Sequence, residues 1–252
     1  MLALTRMPSP RMADCQLTFV DRSPIDYQRV LAQHAEYRQA LAECGAQVES
    51  LDADLDLPDC VFVEDTAVVL DEVAILCRLG TESRRGETAA VERALHLCRD
   101  VERVEPPATL EGGDVLQVGR TLLVGLSSRT NAAGVERLTA IAGRRGYSVR
   151  AIRVTGCLHF KTACAALPDG RLLVNPAWID GVGLNDLKQI AVPESEPWGA
   201  NVACLKGRVV AAAANRQTNE LIRSLGFDVR PVELDEFAKA EGGVTCLSIL
   251  LR

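Results

Sequence analysis

The chain has 252 residues, 48% hydrophobic and 25% charged, with a net charge of −6, enough for a packed core in one large domain or two small ones. No apolar run nears the ~18 residues of a membrane span, and the opening MLALTRMPSP has no basic region before its apolar stretch, so it reads as a first strand and not as a secretory signal. Acidic and basic residues are mixed, and the tight basic pairs are only Arg84-Arg85 and Arg144-Arg145; this argues against a nucleic-acid partner and mildly favours a cationic one.

In chain order, LALTRMP is a strand, and Ser23-Pro24 supplies a cap and first-turn proline for the helix RVLAQHAEYRQALAECG, which Gly45 ends before the strand AQVESLD. The hairpin DTAVVLDEVAILCRL follows, then the helix AAVERALHLCRD and the strand VERVE. The same grammar returns in DVLQVGRTLLVG, AAGVERLTAIAGRRG and YSVRAIRV. It returns in TACAALPDGRLLVN with a shorter GLNDLKQ and IAVPE, and in NVACLKGRVVAAAA with TNELIRSLG and FDVRPVEL. VTCLSILLR closes the chain, and LALTRMP is its partner strand. Hairpin starts at residues 65, 114, 162, 201 and 244 are about 39 to 49 residues apart, a spacing of propeller-like arrays. The pattern predicts an α/β fold: one domain over 1–252, a five-bladed α/β propeller of ββαβ-type repeats with pseudo-fivefold symmetry, closed by pairing its two ends.

Polar residues recur where each hairpin begins: Glu64-Asp65, Glu111 and Asp114, His159 and Lys161, Asn201, and Cys246. In a closed ring such positions converge near the axis. Each has a plainer reading beside the functional one. A cysteine is more often a packed core residue, but Gly242-Gly243 before Cys246 permits close approach of backbone or ligand. Of three histidines, His34 lies beside Gln33 on a helix and is expected to be solvated, and His96 is expected to pack or face solvent. His159 occupies the recurrent polar position and suits acid–base work near neutral pH. Asp59, Glu64, Asp65, Glu111 and Asp114 are readable as turn caps. Facing inward together, however, they would repel one another unless a cation joined them. EF-hand and HExxH patterns are absent, and paired carboxylates grip a planar guanidinium well.

LPDCVFVED, SRRGET, LEGGD, SRTNAAG, LHFKT and GGVTCLS occur in one order from roughly Arg6 to Leu251. In this the chain resembles the dimethylarginine dimethylaminohydrolases, within the guanidino-group modifying enzymes, a family that folds as the five-bladed α/β propeller. The resemblance implies Cys246 as nucleophile, His159 as general acid and base, and Glu111 as the carboxylate orienting it. It further implies that Asp59, Glu64 and Asp65 hold the guanidinium and that Arg84 and Arg129 bind the substrate's α-carboxylate. Leu17 would cap the site from a mobile segment, and the Ala240 carbonyl would face it. EGGD alone does not separate the family from arginine deiminases; the FVED and LHFKT forms favour the dimethylarginine branch.

The implied reaction forms and hydrolyses a thiouronium at Cys246, giving citrulline with no metal or cofactor. The surrounding carboxylates predict a Cys246 that stays neutral until the cationic substrate arrives. Arginine or agmatine deiminase, amidinotransferase and a non-catalytic binding protein are the competing readings, and a homodimer is left open. Nine scattered cysteines without a CxxC pair predict reduced thiols in a cytoplasm.

Overall fold

The computed structural model describes residues 1–251. Its strands form five separate three-stranded sheets, each an antiparallel pair extended by one parallel strand. β1 (Leu2–Arg6) and β2 (Gln47–Leu51) belong to the first sheet. β3 (Ala67–Val69), β4 (Ala74–Leu76) and β5 (Val101–Arg103) form the second. β6 (Val115–Val118), β7 (Thr121–Leu126) and β8 (Ser148–Arg153) form the third. β9 (Cys164–Ala166), β10 (Leu172–Val174) and β11 (Gln189–Ala191) form the fourth. β12 (Val202–Leu205), β13 (Arg208–Ala212) and β14 (Asp228–Val232) form the fifth. The last strand, β15 (Ile249–Leu251), returns antiparallel to β1 with Leu2 opposite Leu251, so the two ends of the chain complete one blade as predicted.

The parallel strand of a blade needs a crossover, and helices supply it. They are α1 (Tyr27–Glu43), α2 (Thr88–Leu95), α3 (Ala132–Gly143) and, after the short α4 (Phe160–Ala163), α5 (Arg216–Ser224); α6 (Asp235–Ala238) follows β14. Two expectations change. The α1 cap is Asp26, whose carboxylate accepts from the Gln28 and Arg29 amides, and not Ser23. The weak GLNDLKQ pattern yields only a 3-10 turn, Gly181–Leu184, capped by Asp180. Gly45 ends α1 in a left-handed conformation, φ +88°, as a C-terminal glycine should.

Five apolar clusters fill the spaces between neighbouring sheets. One joins Leu4 and Ile249 to Ala74 and Val91; the next joins Ile75 to Leu122 and Val124. Leu123 then meets Leu172, Leu173 meets Val209, and Val210 meets Ala3 and Leu41. The series closes on itself, which makes the five sheets a ring. No described helix is long and apolar enough to cross a membrane. All nine cysteines are unpaired.

Candidate active site

The ring delivers its polar residues through short turns that precede the first strand of a blade: Val63–Thr66, Gly112–Asp114, α4 and Thr245–Leu247. Glycine is required where these turns touch. A Cβ on Gly112 would lie 2.0 Å from the Glu64 carbonyl oxygen, and one on Gly113 would lie 2.6 Å from Asp65 Oδ1 and 2.9 Å from His159 Cγ. The EGGD segment therefore serves blade contact at the axis as well as carrying its carboxylates.

His159 Nε2 and Glu111 Oε2 are 2.6 Å apart in full burial. The other Glu111 oxygen accepts the Gly80 amide at 2.9 Å, with Arg129 Nη1 3.8 Å away. Asp114 accepts the Phe160 amide at 2.9 Å and the Ser127 hydroxyl at 2.7 Å, which fixes the backbone beside His159. Arg84 gives Nη1 to Asp65 Oδ2 at 2.9 Å and its other two nitrogens to Glu87. Asp65 Oδ1 lies 3.7 Å from His159 Nε2 and is a buried acceptor with no hydrogen-bond partner among the described residues. Such a group is costly unless something supplies a donor.

Charge sets the protonation pattern. Burial opposes a charged His159, but Asp65, Glu111 and Asp114 outweigh it and raise the imidazole to about 9. Burial likewise opposes ionisation of Glu111, yet its bond to His159 holds it down at about 2. Cys246, half-buried, is pushed up to about 12, first by desolvation and then by Glu64 and Asp65; the Gly243 amide at 3.3 Å from Sγ only partly offsets this. At neutral pH the site thus holds an imidazolium, a carboxylate and a neutral thiol.

A small cavity of about 20 Å³ brings together Asp59, Asp65, Arg84, Arg129, His159 and Cys246, with Ala240 in its wall. Glu111 lies beneath it, against His159. Besides Glu111, two predicted residues are not among its lining. Leu17 packs on the apolar cluster of α1 instead, and the Glu64 carboxylate is committed to Lys161 and Thr245. The motifs gave no warning of Glu241. Its Oε1 accepts the amides of Thr18, Phe19 and Val20, and its backbone is left-handed at φ +58°. Together with the Gln16 amide on Asp59, these bonds hold residues 16–20 against the cavity. The contact joins positions more than 220 residues apart, and no local pattern in the sequence signals it.

Asp65, Glu111 and His159 each offer a ligand atom within 4.8 Å of the others. A metal held by all three would have to break the 2.6 Å His159–Glu111 bond. An organic cation reaching Asp65 Oδ1 leaves that bond in place.

The family model described as arginine deiminase matches residues 55–167. The N(G),N(G)-dimethylarginine dimethylaminohydrolase of Streptomyces coelicolor is 44% identical over 99% of this chain and 96% of its own length. The enzyme of the same name from Pseudomonas aeruginosa is 36% identical over 98% and 97%. A solved structure of the Pseudomonas aeruginosa protein, a cysteine-to-serine variant complexed with citrulline, superposes with a TM-score of 0.92 at 35% identity, covering 98% of this chain and 97% of that one.

Proposed function

The chain belongs to the dimethylarginine dimethylaminohydrolase family, and from that premise we propose that it hydrolyses asymmetric dimethylarginine and monomethylarginine to citrulline and the corresponding methylamine. The observation that carries this reading is the orphaned Asp65 Oδ1, aimed at the same space as Asp59, His159 and Cys246. A guanidinium N–H satisfies that oxygen and adds positive charge where three acidic groups and a thiol meet.

Each group then has one task. Asp59 and Asp65 orient the guanidinium plane and bring its carbon to the sulfur. The arriving cation favours the Cys246 thiolate, whose proton leaves to solvent. Thiolate attack on the guanidinium carbon forms a C–S bond. His159, charged at neutral pH, donates its proton to the dimethylamine nitrogen as the C–N bond breaks. Neutral His159 then takes a proton from water, the hydroxide attacks the carbon of the thiouronium intermediate, and the C–S bond breaks, releasing citrulline while the Cys246 sulfur takes up the hydroxyl proton of the adduct and stays on the enzyme. Glu111 holds the imidazole and favours its charged form. Arg84 and Arg129 form the positive wall for an α-carboxylate, Leu17 and residues 16–20 cover the site, and the Ala240 carbonyl accepts from the substrate. The whole of 1–252 acts as one catalytic domain, with no cofactor. Unpaired thiols support a cytoplasmic setting, and a homodimer is not needed to complete a site built from one chain.

Citrulline release from asymmetric dimethylarginine, monomethylarginine, arginine and agmatine tests the reading. Turnover of the two methylated substrates, weak turnover of arginine and none with Cys246→Ser is expected. A preference for arginine would move the chain to deiminase chemistry on the same residues.

A further inference from the structure

A second cavity of about 190 Å³, which shares no lining residue with the small one, is lined by the first-paired strands of all five blades. Glu64, Lys161 and Thr245 are part of its wall. Lys161 Nζ lies 2.7 Å from Glu64 Oε1, and Thr245 Oγ1 donates to Glu64 Oε2 at 2.6 Å. Asn201 completes the set. Its Oδ1 accepts the Thr245 amide at 3.0 Å, and its Nδ2 lies 3.2 Å from both Thr245 Oγ1 and the Lys161 carbonyl. Four blades therefore meet on one turn, and the residue after Thr245 is Cys246. A Cβ on Gly243, whose amide reaches the Cys246 sulfur, would stand 2.6 Å from Asn201 Oδ1.

The bonds run in one direction: the Asn201 amide donates to the Thr245 hydroxyl, which donates to Glu64. That polarity requires Glu64 to be an acceptor on Oε2. As a carboxylate, Glu64 makes a charge-assisted bond to the Thr245 hydroxyl; protonation leaves a weaker neutral one and loosens the hold on the turn. Glu64 is buried, and a carboxylate in such surroundings stays ionised only beside a cation.

We propose that Lys161 is a positioning residue of the reaction: from the wall of the second cavity it keeps Glu64 ionised, and Glu64 through Thr245 holds the turn that presents Cys246. The titratable groups facing Glu64 are Lys161, the adjacent Asp65, the Cys246 thiol and the Tyr37 hydroxyl. Of these only Lys161 is a cation. Burial already raises Glu64, and Lys161 is the main opposing influence. This inference rests on the methylarginine hydrolysis proposed above. It assigns Glu64 to the nucleophile's support, distinct from the guanidinium contact that resemblance implied.

The test compares Lys161→Met, Lys161→Arg and the double variant Lys161→Met/Glu64→Gln by two readouts. The ratio of Lys161→Met to wild-type kcat/KM should fall about tenfold or more between pH 8 and pH 6, as Glu64 takes a proton. It should stay flat for Lys161→Arg and for the double variant. At pH 6 the infrared difference between Lys161→Met and the double variant should show a protonated-carboxyl band belonging to Glu64, and the difference between wild type and Glu64→Gln should not; Asp114 and Glu87 cancel in both. A pH-independent ratio with no such band would overturn the proposal. So would the band in wild type, measured against Glu64→Gln, a comparison that holds even if Lys161→Met does not fold. Wild-type protein that makes no citrulline would refute the hydrolase reading alone, because the infrared result does not depend on turnover.

Discussion

His34 should make the protein sensitive to mild acid. The sequence places it on α1 beside polar neighbours, which suggested solvation. The structure buries it completely, with both ring nitrogens unpartnered among the described residues and the Phe237 ring 6.4 Å away. Desolvation, helped by Arg38, lowers its pKa from 6.5 to about 3. The sign follows from linkage. Below 6.5 the unfolded chain binds a proton that the native imidazole refuses, so stability present above 6.5 is lost as pH falls toward 3. At about 1.4 kcal/mol per pH unit the full loss is about 5 kcal/mol, and about 2 kcal/mol of it has gone by pH 5. Urea denaturation of wild type and His34→Leu at pH 7 and pH 5 isolates this share. Asp114 and Glu87, both raised by burial, titrate in overlapping ranges but appear equally in the two proteins and cancel in the difference. The stability of His34→Leu relative to wild type should rise by about 2 kcal/mol on going to pH 5. A difference that does not change with pH would refute the reasoning.

Four further outcomes are expected. Thiolate absorbance of the free protein should be missing at neutral pH and appear for Cys246 only in strongly alkaline solution; a titration midpoint below 7 would contradict the account of its raised pKa. Glu111→Gln should lower kcat on the order of 10²-fold or more with little change in substrate affinity, and should bring the His159 pKa down, measurable by NMR, because it removes the hydrogen-bonded anion. Glu241→Ala should speed hydrogen exchange at the Thr18, Phe19 and Val20 amides, which lose their shared acceptor; unchanged protection would remove Glu241 as the clamp on that segment. Gly112→Ala should destabilise by about 3 kcal/mol or more in thermal or urea unfolding, since its methyl would fall 2.0 Å from a backbone oxygen of the neighbouring blade.

The blade pattern was legible because each unit repeats a helix, a glycine stop and an apolar hairpin, and these are local signals. The pairing of Leu2–Leu4 with Ile249–Leu251 followed from counting half-blades, and the structure has it. Convergence of Asp65, Glu111, His159 and Cys246 was legible for the same reason, as equivalent positions of a closed ring. Other features depend on contacts that sequence spacing does not encode. The burial of His34 comes from packing between α1 and Phe237, over 200 residues away. The turn of Glu64 away from the small cavity depends on Lys161 arriving from a different blade, and the clamp at Glu241 on a backbone φ of +58°. Asp26 displaced Ser23 as the α1 cap because its carboxylate reaches two amides, a choice among near neighbours that spacing alone leaves open.

The most direct measurement of the central claim is mass spectrometry of the protein quenched during turnover of asymmetric dimethylarginine. The account predicts an adduct of substrate less dimethylamine on the peptide carrying Cys246, absent in Cys246→Ser and decaying as citrulline appears. Citrulline formed at full rate with no adduct, or by the Cys246→Ser variant, would contradict it.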